Sequence, residues 1–193
     1  MFFLVNLKLM TNNNLIKTEY TRPAIILHWL LACLLVFQLS IGFSMVDIPK
    51  GPDSPRAVWF NFHKSLGIVL SLLIVFRLIW RLKNPPPKLP ASITGWKKIV
   101  SHVNHLFLYL CMIVMPVSGI TGSIFSKYPI MFFGSPLPRI ADTNETIKSF
   151  TSDLHQYFAI AFTVLIVIHI LAALKHLLID CDGVFERMMI RQK

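Results

Sequence analysis

The sequence predicts an all-α membrane protein, a bundle of four transmembrane helices that run up, down, up and down. Of its 193 residues, 54% are hydrophobic and only 15% are charged, a balance that is unusual for a water-soluble domain. Four apolar stretches come near the ~20 residues that a helix needs to cross ~30 Å of hydrocarbon. They run from Ala24 to Val46, Val58 to Trp80, Ile99 to Phe125 and Leu154 to Ile179. No stretch long enough for a separate soluble domain is left over.

The connections between these stretches contain prolines that end helices. IPKGPDSP follows the first stretch and KNPPPKLP follows the second. Proline cannot continue a helix, because it lacks the backbone N–H group. The third connection, predicted from Ser126 to Asp153, is the longest, and its segment YPIMFFGSPLPRI is apolar enough to lie on the outer membrane surface.

We divide the chain into an N-terminal extension (1–19), a transmembrane domain (20–189) and a basic tail (190–193). The extension begins with MFFLVNLKLM, which is too short to span a membrane and is followed by no small-residue cleavage site. We expect a disordered or interfacial segment here, or a true start at Met10.

The formal net charge of +10 is distributed as a topology signal and not as a nucleic-acid-binding face. One side of the predicted membrane receives eleven basic residues: Lys8, Lys17, Arg22, Arg81, Lys83, Lys88, Lys97, Lys98, Arg187, Arg191 and Lys193. On the other side, five basic residues (Lys50, Arg56, Lys127, Arg139, Lys148) are matched by five acidic ones (Asp47, Asp53, Asp142, Glu145, Asp153). The positive-inside rule therefore predicts that both termini are cytoplasmic.

Four histidines lie at two matched depths of the predicted bundle. His28 is about four residues into the first stretch, roughly 6 Å below the cytoplasmic boundary, and His63 lies near the outer start of the second stretch. In the fourth stretch His155 is at the outer edge, and His169 is about 21 Å further along the helix axis on nearly the same helix face. Depth therefore pairs His28 with His169 and His63 with His155.

Two imidazoles from different helices, with no carboxylate or thiolate among them, favour haem iron over zinc, which prefers four protein ligands. The sequence has no Cys-x-x-Cys-His motif, and Cys33, Cys111 and Cys181 form no close pair. We therefore predict a bundle that encloses two b-type haems, held without covalent links. Filled axial positions suit such haems to electron transfer. For any one histidine, the alternative is a polar group hydrogen-bonded to a neighbouring helix.

Other polar residues of the spans allow two interpretations each. Arg77 and Arg81, one turn apart at the cytoplasmic end of the second stretch, would suit the propionates of the inner haem or would anchor the helix at the interface. His102 and His105 are expected to be interfacial and solvated, although a quinone head group or a propionate would be within their reach. His176 is also expected at the interface.

These residues and their flanking segments resemble the bacterial cytochrome b561 family, whose best-described member is a di-haem superoxide:ubiquinone oxidoreductase. The similarity runs from about Tyr20 to Met189 and includes these segments: LHWL at His28, FHKSLG at His63, FRLIWRLKNPPP, HxxHLxxY, IKSFTSDLH at His155, IVIHILAALKHL at His169, and DGVFERMM. The resemblance implies haem ligation by the same four histidines and a location in the bacterial inner membrane.

The resemblance also suggests a function: electrons from a periplasmic donor, with superoxide as one candidate, would reach ubiquinone through two haems. The alternative is a membrane cytochrome b subunit of a larger dehydrogenase or hydrogenase complex. A third hypothesis, a haem-free transporter with a histidine proton relay, is disfavoured because the spans contain no Asp or Glu away from their edges.

Overall fold

The computed structural model describes residues 19–88, 90 and 93–190. The predicted N-terminal extension up to residue 18, and the last three residues of the basic tail, lie outside the described residues. The described chain contains four long helices: α1 (Arg22–Ser44), α2 (Arg56–Lys83), α3 (Gly95–Ile124) and α4 (Glu145–Lys175). All four are long and apolar enough to cross a membrane, α4 together with the turn that extends it to Asp180. The predicted fold class is confirmed.

Contacts between helix ends show how neighbouring helices are directed. They join Thr21 with Trp80 and Trp29 with Met188 at one end of the bundle, and Gln38 with His63 and Gly122 with Thr151 at the other. Each helix therefore runs opposite to the one before it, in the up-down-up-down order. We call the first of these ends the terminal end, since both described chain ends lie there, and the other the hairpin end.

The fourth helix begins earlier than its hydropathy predicts. We expected the span to begin at Leu154, but α4 begins at Glu145, so the third connection is shorter than the predicted Ser126 to Asp153. The cause is Asn144, whose side-chain oxygen accepts a hydrogen bond from the backbone N–H of Ile147 at 3.1 Å and caps the helix. The first turns of α4 are polar, and hydropathy does not detect such turns. His155 therefore lies several turns into α4, although it is at the outer edge of the apolar stretch.

A short hairpin lies in the third connection, within the segment predicted to lie on the membrane surface. Strand β1 (Met131–Phe132) pairs antiparallel with β2 (Ser135–Pro136) around Phe133 and Gly134. Both turn residues have positive φ, 46° and 93°, as this tight turn requires. The hairpin is attached to α2 through Ser65, whose side chain is fully buried.

The buried core is narrow and joins all four helices. It contains Leu31 of α1, Leu66, Leu70 and Ile74 of α2, Cys111 and Met112 of α3, and Phe162 of α4. Many large apolar side chains point outward instead, for example Leu72 and Leu171, which are 68% and 60% exposed. An apolar surface of this extent indicates contact with lipid. The chain is a multi-pass membrane protein.

After α4 the chain turns back along the terminal end. A π-helical turn (His176–Asp180) extends α4, and a 3-10 helix (Phe185–Met188) follows it. The indole N–H of Trp29 donates to the carbonyl of Met188 at 2.7 Å, and the rings of Trp29 and Phe185 lie edge to face. This segment closes the bundle beside the start of α1, next to His28.

Candidate functional site

The structure brings together each predicted pair of histidines. The ring centroids of His28 on α1 and His169 on α4 are 6.2 Å apart, at the terminal end. Those of His63 on α2 and His155 on α4 are 6.3 Å apart, at the hairpin end. In both pairs the ring planes are close to perpendicular, at 75° and 84°. Helix α4 thus supplies one imidazole to each end, and iron ligation by these residues stays a prediction.

The separation of the rings fits two imidazoles that share one iron. A ring nitrogen lies about 2.0 Å from its metal, and the ring centre about 1.1 Å further along the same line. Two rings on opposite sides of one iron therefore have centroids about 6.2 Å apart. A direct ring-to-ring hydrogen bond brings the centroids closer, and none joins the two members of either pair among the described residues. In both pairs the ring separation therefore fits a haem, the group that the sequence predicts.

At the hairpin end, the protonation of His155 is fixed by its neighbours on α3. Its Nδ1 lies 2.9 Å from the carbonyl oxygen of Met115, which can only accept. The hydroxyl of Ser118 lies 3.1 Å from the same nitrogen and has its own acceptor in the carbonyl of Val114 at 2.7 Å. Nδ1 therefore carries the proton, and Nε2 keeps its lone pair for a metal.

His63 is held less tightly than His155. The side-chain amide of Gln38 donates to the backbone carbonyl of His63 at 2.8 Å. This hydrogen bond joins α1 to the backbone of α2 but does not hold the imidazole ring. The Nδ1 atom of His63 is buried and has no hydrogen-bond partner among the described residues. A buried polar atom without a partner is costly, and its presence at this point is consistent with a site that a further group completes.

At the terminal end, arginine is the neighbour of the pair. Arg77 donates through Nη2 to Nδ1 of His28 at 3.0 Å. Its other terminal nitrogen, Nη1, is buried without a partner among the described residues. Arg81 lies over the ring of Tyr109, 5.0 Å from the ring centroid. Both arginines line one pocket, which Tyr20 and Tyr109 also line, so the two predicted propionate partners share a site.

The remaining histidines differ from one another in position. His105 lies 5.4 Å from His169 between ring centroids, closer to the terminal-end pair than its expected interfacial role implies. Its Nδ1 donates to the carbonyl of Ser101 at 2.6 Å, so its Nε2 keeps a lone pair. His102 donates in the same way to Lys98 at 2.7 Å. The i, i+3 spacing placed both on one helix face, but it could not show which of them meets α4.

His176 belongs to a polar cluster in the turn that extends α4 at the terminal end. Its Nδ1 lies 2.8 Å from a carboxylate oxygen of Asp182 and 3.5 Å from one of Asp180. Lys175 forms an ion pair with Asp180. These contacts close the turn after α4, and in them the charged and polar side chains of the cluster pair with one another.

Comparison with known protein families shows to which family the chain belongs. A model of the prokaryotic cytochrome b561 family matches residues 19–190. The chain belongs to this family. Its members are membrane electron-transfer proteins that bind b-type haem.

Three curated relatives each match most of the chain. Cytochrome b561 homolog 2 of Escherichia coli strain K12 is 32% identical over 167 residues, which is 84% of this chain and 86% of the relative. Cytochrome b561 homolog 1 of the same organism is 27% identical over 179 residues, 91% of this chain and 99% of the relative. A probable superoxide oxidase, CybB, of Yersinia pestis is 25% identical over 176 residues, 91% of this chain and 98% of the relative.

Proposed function

We propose that this cytochrome b561 holds two b-type haems, one at each histidine pair, and carries electrons through the membrane to ubiquinone. One observation carries the proposal: the two pairs have ring centroids 6.2 Å and 6.3 Å apart, the separation of two axial imidazoles on one iron. The haem iron supplies one-electron redox chemistry when it is bound. Two histidines at each site would hold the iron through protein ligands and suit it to electron transfer.

The protein's own residues would hold each group differently. At the hairpin end His155 presents Nε2 because the Met115 carbonyl fixes the proton on Nδ1. At the terminal end Arg77 and Arg81 would pair with propionate groups. The Nη1 atom of Arg77, which has no partner among the described residues, is the donor that this role requires. A guanidinium on a carboxylate also offsets the charge that the haem would bring into an apolar bundle.

The charge distribution supports one orientation of the bundle in the bacterial inner membrane. Most basic residues of the connections belong to the terminal end, so that end and both termini would face the cytoplasm. The hairpin end would then face the periplasm. An electron would enter the protein near His63 and His155, and it would leave near His28 and His169 for ubiquinone.

Superoxide is the donor that we favour, and the relative named a probable superoxide oxidase supports this choice. In the reaction, two superoxide anions each lose one electron and become dioxygen. Ubiquinone takes up those two electrons and two protons and becomes ubiquinol. The periplasmic side would bind the anion, and the cytoplasmic side would bind the quinone.

The test is reduction of the purified protein by enzymatically generated superoxide, with a water-soluble ubiquinone analogue as acceptor. The proposal predicts reduction of the haem absorption bands and formation of ubiquinol, both abolished by superoxide dismutase. Reduction that superoxide dismutase does not suppress would contradict superoxide as the donor. Co-purification of an iron–sulfur protein in mild detergent would instead favour the alternative, a membrane subunit of a larger dehydrogenase or hydrogenase.

A further inference from the structure

The two histidine rings at the hairpin end each lie against a glycine. A β-carbon at position 42 would lie 3.1 Å from Cε1 of His63. At position 119 it would lie 3.0 Å from Cε1 and 3.2 Å from Nδ1 of His155. Carbon atoms in favourable contact are about 3.5–4.0 Å apart. A side chain at either position would therefore push on an imidazole.

This arrangement is specific to the hairpin-end pair. The other helical glycines face other groups: a β-carbon at Gly67 would meet the side-chain amide of Gln38, and one at Gly122 would meet the hydroxyl of Thr151 at 2.9 Å. No glycine among the described residues lies against His28 or His169. General close packing of helices does not explain this difference, because Gly122 packs α3 against α4 as closely as Gly119 does.

The two rings differ in how freely they can move. His155 is held from two directions by α3: Gly119 lies against the ring, and the Met115 carbonyl and Ser118 hydroxyl hold its Nδ1 at 2.9 Å and 3.1 Å. The ring of His63 lies against Gly42 but lacks hydrogen bonds of this kind, since its Nδ1 has no partner among the described residues. The ring of His63 can turn without breaking a hydrogen bond, whereas that of His155 cannot.

We propose that Gly119 and Gly42 are positioning residues for the two axial imidazoles at the hairpin end. The missing side chain at position 119 lets α3 fix both the place and the protonation of His155. The missing side chain at position 42 leaves room on the α1 side of the His63 ring, so that the plane of this ring can adjust to its partner. This inference rests on the proposed function, in which both rings bind one iron.

The test compares three single substitutions in the full-length protein: Gly119→Ala, Gly42→Ala and, as the matched control, Gly122→Ala. Each purified protein is assayed for haem per chain and for the low-spin ferric haem signals in electron paramagnetic resonance. Those signals depend on the angle between the two imidazole planes, so they respond to ring orientation. A change in helix packing alone would not move one signal and leave the other.

We expect Gly119→Ala to halve the haem content, with the signal of the terminal-end haem unchanged. Gly42→Ala should keep both haems and shift the signal of the hairpin-end haem alone. Gly122→Ala should match the unsubstituted protein in both measurements. The retained terminal-end signal reports that the bundle is folded, and the milder Gly42→Ala decides the matter if Gly119→Ala cannot be purified.

Two results would overturn the inference. One is a Gly119→Ala and a Gly42→Ala protein with full haem content and unchanged signals. The other is an equal loss in all three variants, which would assign the effect to helix packing. In both cases two haems in the unsubstituted protein would leave the proposed function standing. An unsubstituted protein without haem would overturn the proposed function itself.

Discussion

The guanidinium of Arg77 lies 3.0 Å from Nδ1 of His28 and donates a hydrogen bond to it. Because a guanidinium has no lone pair to offer, Nδ1 is the acceptor, and the proton of a neutral His28 is on Nε2. This is the opposite of the arrangement at His155, where Nδ1 carries the proton. For His28 to bind iron through Nε2, Arg77 must release the ring, and a propionate is the partner to which it would move.

Substitution Arg77→Gln is expected to lower the midpoint potential of the terminal-end haem and to keep the haem content at two. A positive charge near the iron stabilises the reduced state, so its loss favours the oxidised state by roughly 1–2 kcal/mol, or about 40–90 mV for one electron. Potentiometric titration of the α-band measures this. Lys83→Gln, which removes an exposed charge in the last turn of the same helix, is the control and should shift the potential little. An unchanged potential in Arg77→Gln would contradict the propionate role.

Substitution His155→Ala should remove one of the two haems and leave the other with its normal spectrum. The reason is that a haem with one axial histidine missing is no longer held from both sides, whereas the terminal-end pair does not contact residue 155. Haem content per chain is the measurement. His102→Ala is the matched control, because the hydrogen bond of His102 among the described residues goes to Lys98 on its own helix. Loss of both haems, or of neither, would argue against independent sites.

Substitution Ser65→Ala should loosen the hairpin. The Ser65 hydroxyl donates to the carbonyl of Asn61 on its own helix at 2.7 Å, accepts from the N–H of Phe133 at 2.9 Å and lies 3.0 Å from the carbonyl of Met131; the side chain is fully buried. Its loss leaves the N–H of Phe133 without this acceptor, which costs about 1–3 kcal/mol and raises the open population about fivefold or more. Trypsin cleavage after Lys127 or Arg139 should accelerate by a similar factor.

Ser71→Ala is the control for the hairpin experiment. Ser71 also lies on α2 and also bonds to a carbonyl four residues earlier, that of Gly67 at 2.6 Å, but it does not bond to the hairpin. Its cleavage rate should equal that of the unsubstituted protein. Equal rates in the Ser65 and Ser71 variants would show that the hairpin is held by other contacts.

The predicted orientation can be tested with the natural cysteines. Cys181 is exposed beyond α4, Cys111 is buried in the core, and Cys33 lies on the surface of α1 inside the predicted span, where lipid would shield it from a water-soluble reagent. A membrane-impermeant maleimide should therefore label Cys181 only after the cytoplasmic membrane is opened. A Lys50→Cys protein, with its thiol in the first connection, should react in intact spheroplasts. The reverse pattern would place the termini outside.

The sequence was sufficient for the fold and for the pairing of the histidines in space. Four long apolar stretches leave few arrangements, and depth along a helix follows from a fixed rise per residue. His155 and His169 lie at two depths of the bundle on one face of α4. His63 and His28 lie at the same two depths, so depth assigns each partner. The start of α4 was predicted wrongly because it depends on a cap at Asn144 and on polar turns, which hydropathy does not measure.

The surroundings of each ring could not be predicted in the same way. The contact of Arg77 with His28, the approach of His105 to His169 and the glycine beside His63 all depend on rotation of one helix against another. A change of about 100° separates neighbouring residues on a helix, so small rotations exchange one neighbour for the next. Gly42 gave no signal in the sequence, because a glycine in an apolar span is equally consistent with ordinary helix packing.

The most direct test of the account is the number of haems bound by the unsubstituted protein. A reduced-minus-oxidised visible spectrum, with haem quantified as the pyridine haemochromogen, gives this number per chain. We predict two b-type haems per chain. One haem would mean that one histidine pair is structural, and no haem would contradict the central claim that both pairs hold iron.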